Sequence, residues 1–312
     1  MKKVAFCAAA AALCGSLLAV ESANIVGYQN RALVNDKFVW CCGTFQAVGV
    51  AQSNMKLGDV SLANDDGVSV GEVTLSLISG TGSNLKLTSA ETTKFVAKSA
   101  SFVYLPQAQI DEAKADPDYA GELDGVVAGW YHETDDEFSE CFNNYVLPFG
   151  TGYAVKQTAP GYTVLYAGNV VEDVDMPSIA LQNDKFVWTG NAAPKDMTLG
   201  DFSVSNPDGV SVGDVTLSLI SGTGSNLKLT SAETTKFVAK SASFVYLPQE
   251  QIDEAKADPD YAGELDGVVA GWYHETDDEF SECFNSYPIP AGLGFAVKQT
   301  ASGYSIDLPG AL

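Results

Sequence analysis

From Val73 the chain alternates: Val73, Leu75 and Leu77 are apolar, whereas Thr74 and Ser76 are polar. A period of two is the mark of a half-buried strand, because successive side chains leave opposite faces. Ser79–Asn84 (SGTGSN) then supplies turn chemistry, and Leu85 and Leu87 resume the alternation around Lys86, which predicts a hairpin. Phe102–Leu105, Gly125–Glu133, Gly152–Gln157 and Tyr162–Gly168 read as further strands. One segment departs from this pattern. Pro106–Ala115 (PQAQIDEAKA) predicts a short helix, with Pro106 in the first turn, Asp111 and Glu112 early, and Pro117 as the stop. Gly80 and Gly82 serve the turn and not a phosphate loop, since no GK[ST] follows them.

The pattern occurs twice. Gly67–Asn143 recurs as Gly209–Asn285 at an offset of 142, with two differences: Glu72 becomes Asp214 and Ala108 becomes Glu250. Outside this block the copies have drifted but still align. NDKFVW at Asn35–Trp40 recurs at Asn183–Trp188, an offset of 148, so the first copy holds six extra residues in its CCGTFQAVGVAQSNMK loop. The organisation expected is a leader over residues 1–23 and two modules over 24–170 and 171–312. The fold expected is mainly β: two tandem sandwich- or barrel-like modules, each with one short helix and its own apolar interior.

Each module also has recognisable edges. The first opens with NIVGYQ and the apolar KFVW, and closes with Pro148, Gly150, Gly152, Tyr153 and Val155, then Gly168 and Val170. The second closes with Pro290, Gly292, Gly294, Phe295 and Val297, then Gly310 and Leu312. This resembles the β-rich modules found in tandem on secreted and surface-associated bacterial proteins. The resemblance implies an exported β module and brings no catalytic residues with it. NVVEDVDMPSI in the second copy departs from the opening pattern, which leaves its first strand less well defined.

Lys2, Lys3 and the apolar Val4–Val20, followed by Ser22 and Ala23, read as a secretory signal peptide. The apolar run is short for a membrane span, which needs roughly 20 apolar residues. Export to the periplasm, cell surface or medium is the expected destination. A net charge of −23 disfavours nucleic acid, whose binding relies on Lys and Arg neutralising phosphates. It suits solubility, cations or a basic partner.

Candidate chemistry concentrates in GWYHETDDEFSEC, once per copy. His132 and Cys141, or His274 and Cys283, would make a nucleophile pair only if folding brought them together beside an orienting acid. Their spacing does not argue for this, and one His with one Cys falls short of a zinc ligand set. No catalytic residue is therefore expected. Asp116, Asp118 and Asp124, with Gly121 in sixth position, follow the order of a calcium loop, and Asp258, Asp260 and Asp266 repeat it. Ala120 and Val127 stand where ligands belong, which weakens that match. Trp130 with Tyr131, and Trp272 with Tyr273, suggest ring platforms for sugars, although neighbours on a strand point to opposite faces. Cys41, Cys42, Cys141 and Cys283 allow three pairings, none of them common to both copies. Three classes follow: a non-enzymatic structural or adhesive surface protein with an unidentified protein or glycan partner, a glycan-binding pair assisted by calcium, and a hydrolase.

Overall fold

The computed structural model describes residues 26–45, 54–64, 66–79, 86–87, 101–119, 121–171, 176–223, 226–229, 243–261 and 263–310. The leader expected over residues 1–23 and, apart from Ser79, the turn expected over Ser79–Asn84 lie outside them. The first copy contains β1 (Val26–Ala32), β2 (Phe38–Cys42), β3 (Met55–Lys56), β4 (Ser61–Ala63), β5 (Val73–Ser79), β6 (Lys86–Leu87) and β7 (Ser101–Leu105). Helix α1 (Gln107–Ala115) follows, then β8 (Gly129–His132), β9 (Val146–Leu147), β10 (Gly152–Gln157) and β11 (Thr163–Asn169). The second copy repeats the plan with β12 (Ser178–Ala180), β13 (Phe186–Gly190), β14 (Met197–Thr198), β15 (Ser203–Ser205), β16 (Val215–Ser218), β17 (Ile220–Thr223) and β18 (Asn226–Leu229). It ends with β19 (Ser243–Leu247), α2 (Gln249–Ala257), β20 (Gly271–His274), β21 (Pro288–Ile289), β22 (Gly294–Gln299) and β23 (Ser305–Asp307).

The fold is mainly β, and each copy stacks two antiparallel sheets. In the first copy a sheet ordered β2-β10-β5-β7-β8 faces a smaller one ordered β1-β11-β4; the second copy has β13-β22-β16-β19-β20 facing β12-β23-β15. Alternation explains the core. Val73, Leu75, Leu77, Phe102, Trp130, Tyr153 and Val155 point inward from the larger sheet and meet Val164 and Tyr166 from the smaller one. A buried glutamine ties the two layers. Gln157 Nε2 donates to the Leu33 carbonyl at 2.9 Å, and its Oε1 accepts from Tyr162 N–H at 3.0 Å. Gln299 does the same with Leu181 and Tyr304. Both side-chain ends are satisfied, so this burial carries little penalty.

The outer face of the larger sheet has two covers. Near β7 and β8, helix α1 buries Ile110 against Leu105 and Tyr131, with Val103, Phe138 and Cys141 alongside. Near β2 and β10 the cover is the other copy.

Three local readings are refined. The strand expected over Gly125–Glu133 is only β8, because the Asn143 amide straddles Gly129. Asn143 Nδ2 donates to the Ala128 carbonyl at 2.9 Å and Oδ1 accepts from Trp130 N–H at 3.0 Å. A Cβ on Gly129 would lie 2.2 Å from that amide, so a glycine is required there. The opening strand of the second copy, in which Pro177 stands in place of Gln29, is three residues long against seven in the first. The two interiors are also not wholly separate, since Cys42 and Phe149 of the first copy pack into the core of the second.

Candidate functional site

Strand β8 decides the fate of the GWYHETDDEFSEC motif. Its even positions face the main core and its odd ones face the helix. Trp130 is fully buried and donates Nε1–H to the Val60 carbonyl at 3.1 Å. Tyr131 is buried on the opposite face, donates its hydroxyl to the Val127 carbonyl at 2.7 Å, and packs edge-on against Phe138. Trp272 and Tyr273 are placed identically. The ring-platform reading is therefore corrected: none of the four rings offers a face to solvent. Each has large apolar area to bury and a polar edge that finds a backbone partner, which makes the core the better location.

The same alternation separates His132 from Cys141. His132 sits on the Trp130 face, edge-on to Phe102, and its Nδ1 lies 2.8 Å from Thr134 Oγ1. Cys141 pairs across to Tyr131 on the helix side. The sheet lies between the two groups, and the second copy repeats the arrangement. Burial, aided by the neighbouring thiol, pushes the Tyr131 and Tyr273 phenols up to about 12.

In the acidic loop, Asp116 accepts the Asp118 N–H at 2.9 Å, and Asp258 accepts the Asp260 N–H in the same way. These are turn-forming bonds of the kind short Asp side chains favour. Asp124 and Asp266 lie on exposed turns farther along. Among the described residues no three Asp, Glu, His or Cys side chains are grouped closely enough to hold a metal ion. Cys41, Cys42, Cys141 and Cys283 all remain thiols. The first two cannot pair with each other or outward, since Cys41 points into its own core and Cys42 into the other copy's.

Side chains of the two halves converge where the copies meet. Trp40 and Trp188, equivalent residues of β2 and β13, stack with ring centroids 5.9 Å apart, above Ala154 and Ala296. The backbones approach closely enough to exclude side chains. A Cβ on Gly152 would lie 2.7 Å from the Thr189 carbonyl, and one on Gly294 would lie 2.8 Å from the Cys41 carbonyl. Hydrogen bonds cross the boundary from Cys42 N–H to the Gly292 carbonyl at 2.8 Å and from Thr189 Oγ1 to the Gly150 carbonyl at 2.7 Å. Arg31, the only arginine in the chain, donates Nη1–H to the Ala291 carbonyl at 3.4 Å. The indole Nε1 atoms of Trp40 and Trp188 are buried and have no partner among the described residues.

Behind the junction the first copy has a polar core. Tyr153 donates its hydroxyl to that of Tyr166 at 2.7 Å, and Cys41 and Arg31 lie beside this pair. Burial holds both phenols well above the ordinary value and raises the Cys41 thiol, against the pull of the Arg31 charge. Thiols held protonated in this way are poor nucleophiles.

Sequence reasoning missed the junction. Its one local signal was the small face of GYAVKQ, where Gly152 and Ala154 alternate with the large Tyr153 and Val155. Comparison with models of protein families, with curated proteins and with solved structures returns no match.

Proposed function

We infer that this chain is an exported, non-enzymatic surface or extracellular protein that displays two copies of one acidic face in a structural or adhesive role. The observation that carries this reading is the strand order. In both larger sheets the strand pair at the junction sits at one edge, β2-β10 or β13-β22, and the helix-bearing pair sits at the other, β7-β8 or β19-β20. The helix-bearing edges therefore lie away from the junction strands, although β5 and β17, also built from the duplicated block, reach β13 and β2. Around α1 those edges expose Asp111, Glu112, Asp116, Asp118, Glu122 and Asp124, together with Tyr119. Two equal weak sites reinforce one another when a partner can reach both. The charge suits a basic protein partner, whose association would weaken with salt. No helix among the described residues is long and apolar enough to cross a membrane.

The test is fractionation of cells producing the full chain, followed by crosslinking of whatever accompanies it. The reading predicts a shortened N-terminus, recovery in envelope or medium, and a crosslinked partner lost at high salt. Full-length chain confined to the cytoplasm would overturn it.

A further inference from the structure

We propose that the junction is keyed to unlike partners: the face of the first copy fits that of the second and excludes a second copy of itself. The two faces are built on equivalent strands, so backbone geometry alone would permit like pairs, as in an isologous dimer. Side chains decide otherwise.

Cys42 and Gly190 occupy equivalent places and face each other across the boundary. A Cβ on Gly190 would lie 2.5 Å from the Cys42 Cβ across the boundary, and 2.3 Å from the Leu293 carbonyl of its own copy. Pairing two first copies would put a cysteine in both places, and two Cβ atoms cannot approach so closely. Pairing two second copies would put glycine in both and leave unfilled the space that the buried Cys42 takes in the second core. The loops repeat this logic. Phe149 packs into the second core, while its equivalent, Ala291, presents a carbonyl to Arg31. At the place of Arg31 the second copy carries Ile179, which has no side-chain N–H to give. Selectivity of this kind comes from the clash in the wrong pair as much as from the fit in the right one. The device keeps two chains from joining through like halves while holding the halves of one chain together.

The experiment uses the full chain with a protease site introduced between Val171 and Met176, cut after folding and examined by native mass spectrometry. Particles containing one first and one second half are expected, with like pairs at least about tenfold rarer. Halves that separate completely, or like pairs in statistical proportion, would overturn the proposal. Cys42→Gly in the same cut chain removes the clash and should raise the fraction of first-with-first pairs, whereas Cys42→Ala keeps the Cβ and should not. An unchanged fraction in Cys42→Gly, with folding verified by circular dichroism, would contradict the key. Phe149→Ala, altered at a half-buried loop position, should increase the fraction of separated halves; no change would also count against it.

Discussion

The two copies share nearly all of Gly67–Asn143 yet differ in the core behind their junction strands. In the first copy Arg31, Cys41, Tyr153 and Tyr166 put polar atoms there; in the second the equivalents are Ile179, Thr189, Phe295 and Leu308. The registers match: Arg31 pairs with Val164 as Ile179 pairs with Ile306, and Cys41 pairs with Tyr153 as Thr189 pairs with Phe295. The same sheet geometry thus accepts a core with paired phenols, a thiol and an arginine, or one in which only the Thr189 hydroxyl of these four positions is polar, provided volume and alternation are kept.

The comparison is broken most strongly at the tryptophans common to both copies. Trp130→Ala and Trp272→Ala each remove a fully buried ring, and each should cost about 3–5 kcal/mol in urea unfolding. Peptide-resolved hydrogen exchange should show the loss confined mainly to the altered copy. Equal loosening of both would mean that the copies do not keep separate cores.

Alkaline pH should separate them next. A phenol whose folded pKa is raised contributes stability that is present below its unfolded value, near 10, and lost as pH rises through the folded one. Tyr131 and Tyr273, pushed up to about 12, weigh equally on both copies. Tyr153 and Tyr166 add to the loss in the first copy alone, because Phe295 and Leu308 do not titrate. Above pH ~10 the first copy should therefore exchange faster than the second. Tyr153→Phe with Tyr166→Leu should shrink the difference to what the buried Cys41 thiol, replaced by Thr189 in the second copy, still contributes.

Smaller effects sharpen the picture. Asn143→Ala leaves the Ala128 carbonyl and Trp130 N–H without their partner and should cost about 1–3 kcal/mol, as should Asn285→Ala. Calcium followed by chelator decides whether the acidic loops bind it, and an unchanged melting temperature would end that reading. A reproducible rise with calcium would support Asp116, Asp118 and Asp124, with Asp258, Asp260 and Asp266, as ligands.

Much of the fold was legible because alternation and punctuation are local. Val73, Leu75 and Leu77 marked an inward strand face, and Pro106 and Pro117 bracketed a helix that the structure places at Gln107–Ala115. The short β8 was not legible, because what limits it is the Asn143 amide, which lies near in space and follows later in the chain. The rings of the motif that looked most chemical are buried, and its His and Cys parted, for the same reason that defines a strand. Adjacent residues take opposite faces, so Trp130 and His132 are parted from Tyr131 and Cys141. The junction left only the small residues Gly152 and Ala154 as a trace, since which surface a face meets is a property of the assembled copies.

The contact between copies is tested most directly by a double-mutant cycle on Trp40 and Trp188, measured by urea unfolding of both single variants and the double. Stacked at 5.9 Å, the rings should show a coupling of about 0.5–1.5 kcal/mol. Strict additivity of the two substitutions would contradict a structure in which the copies pack through these strands.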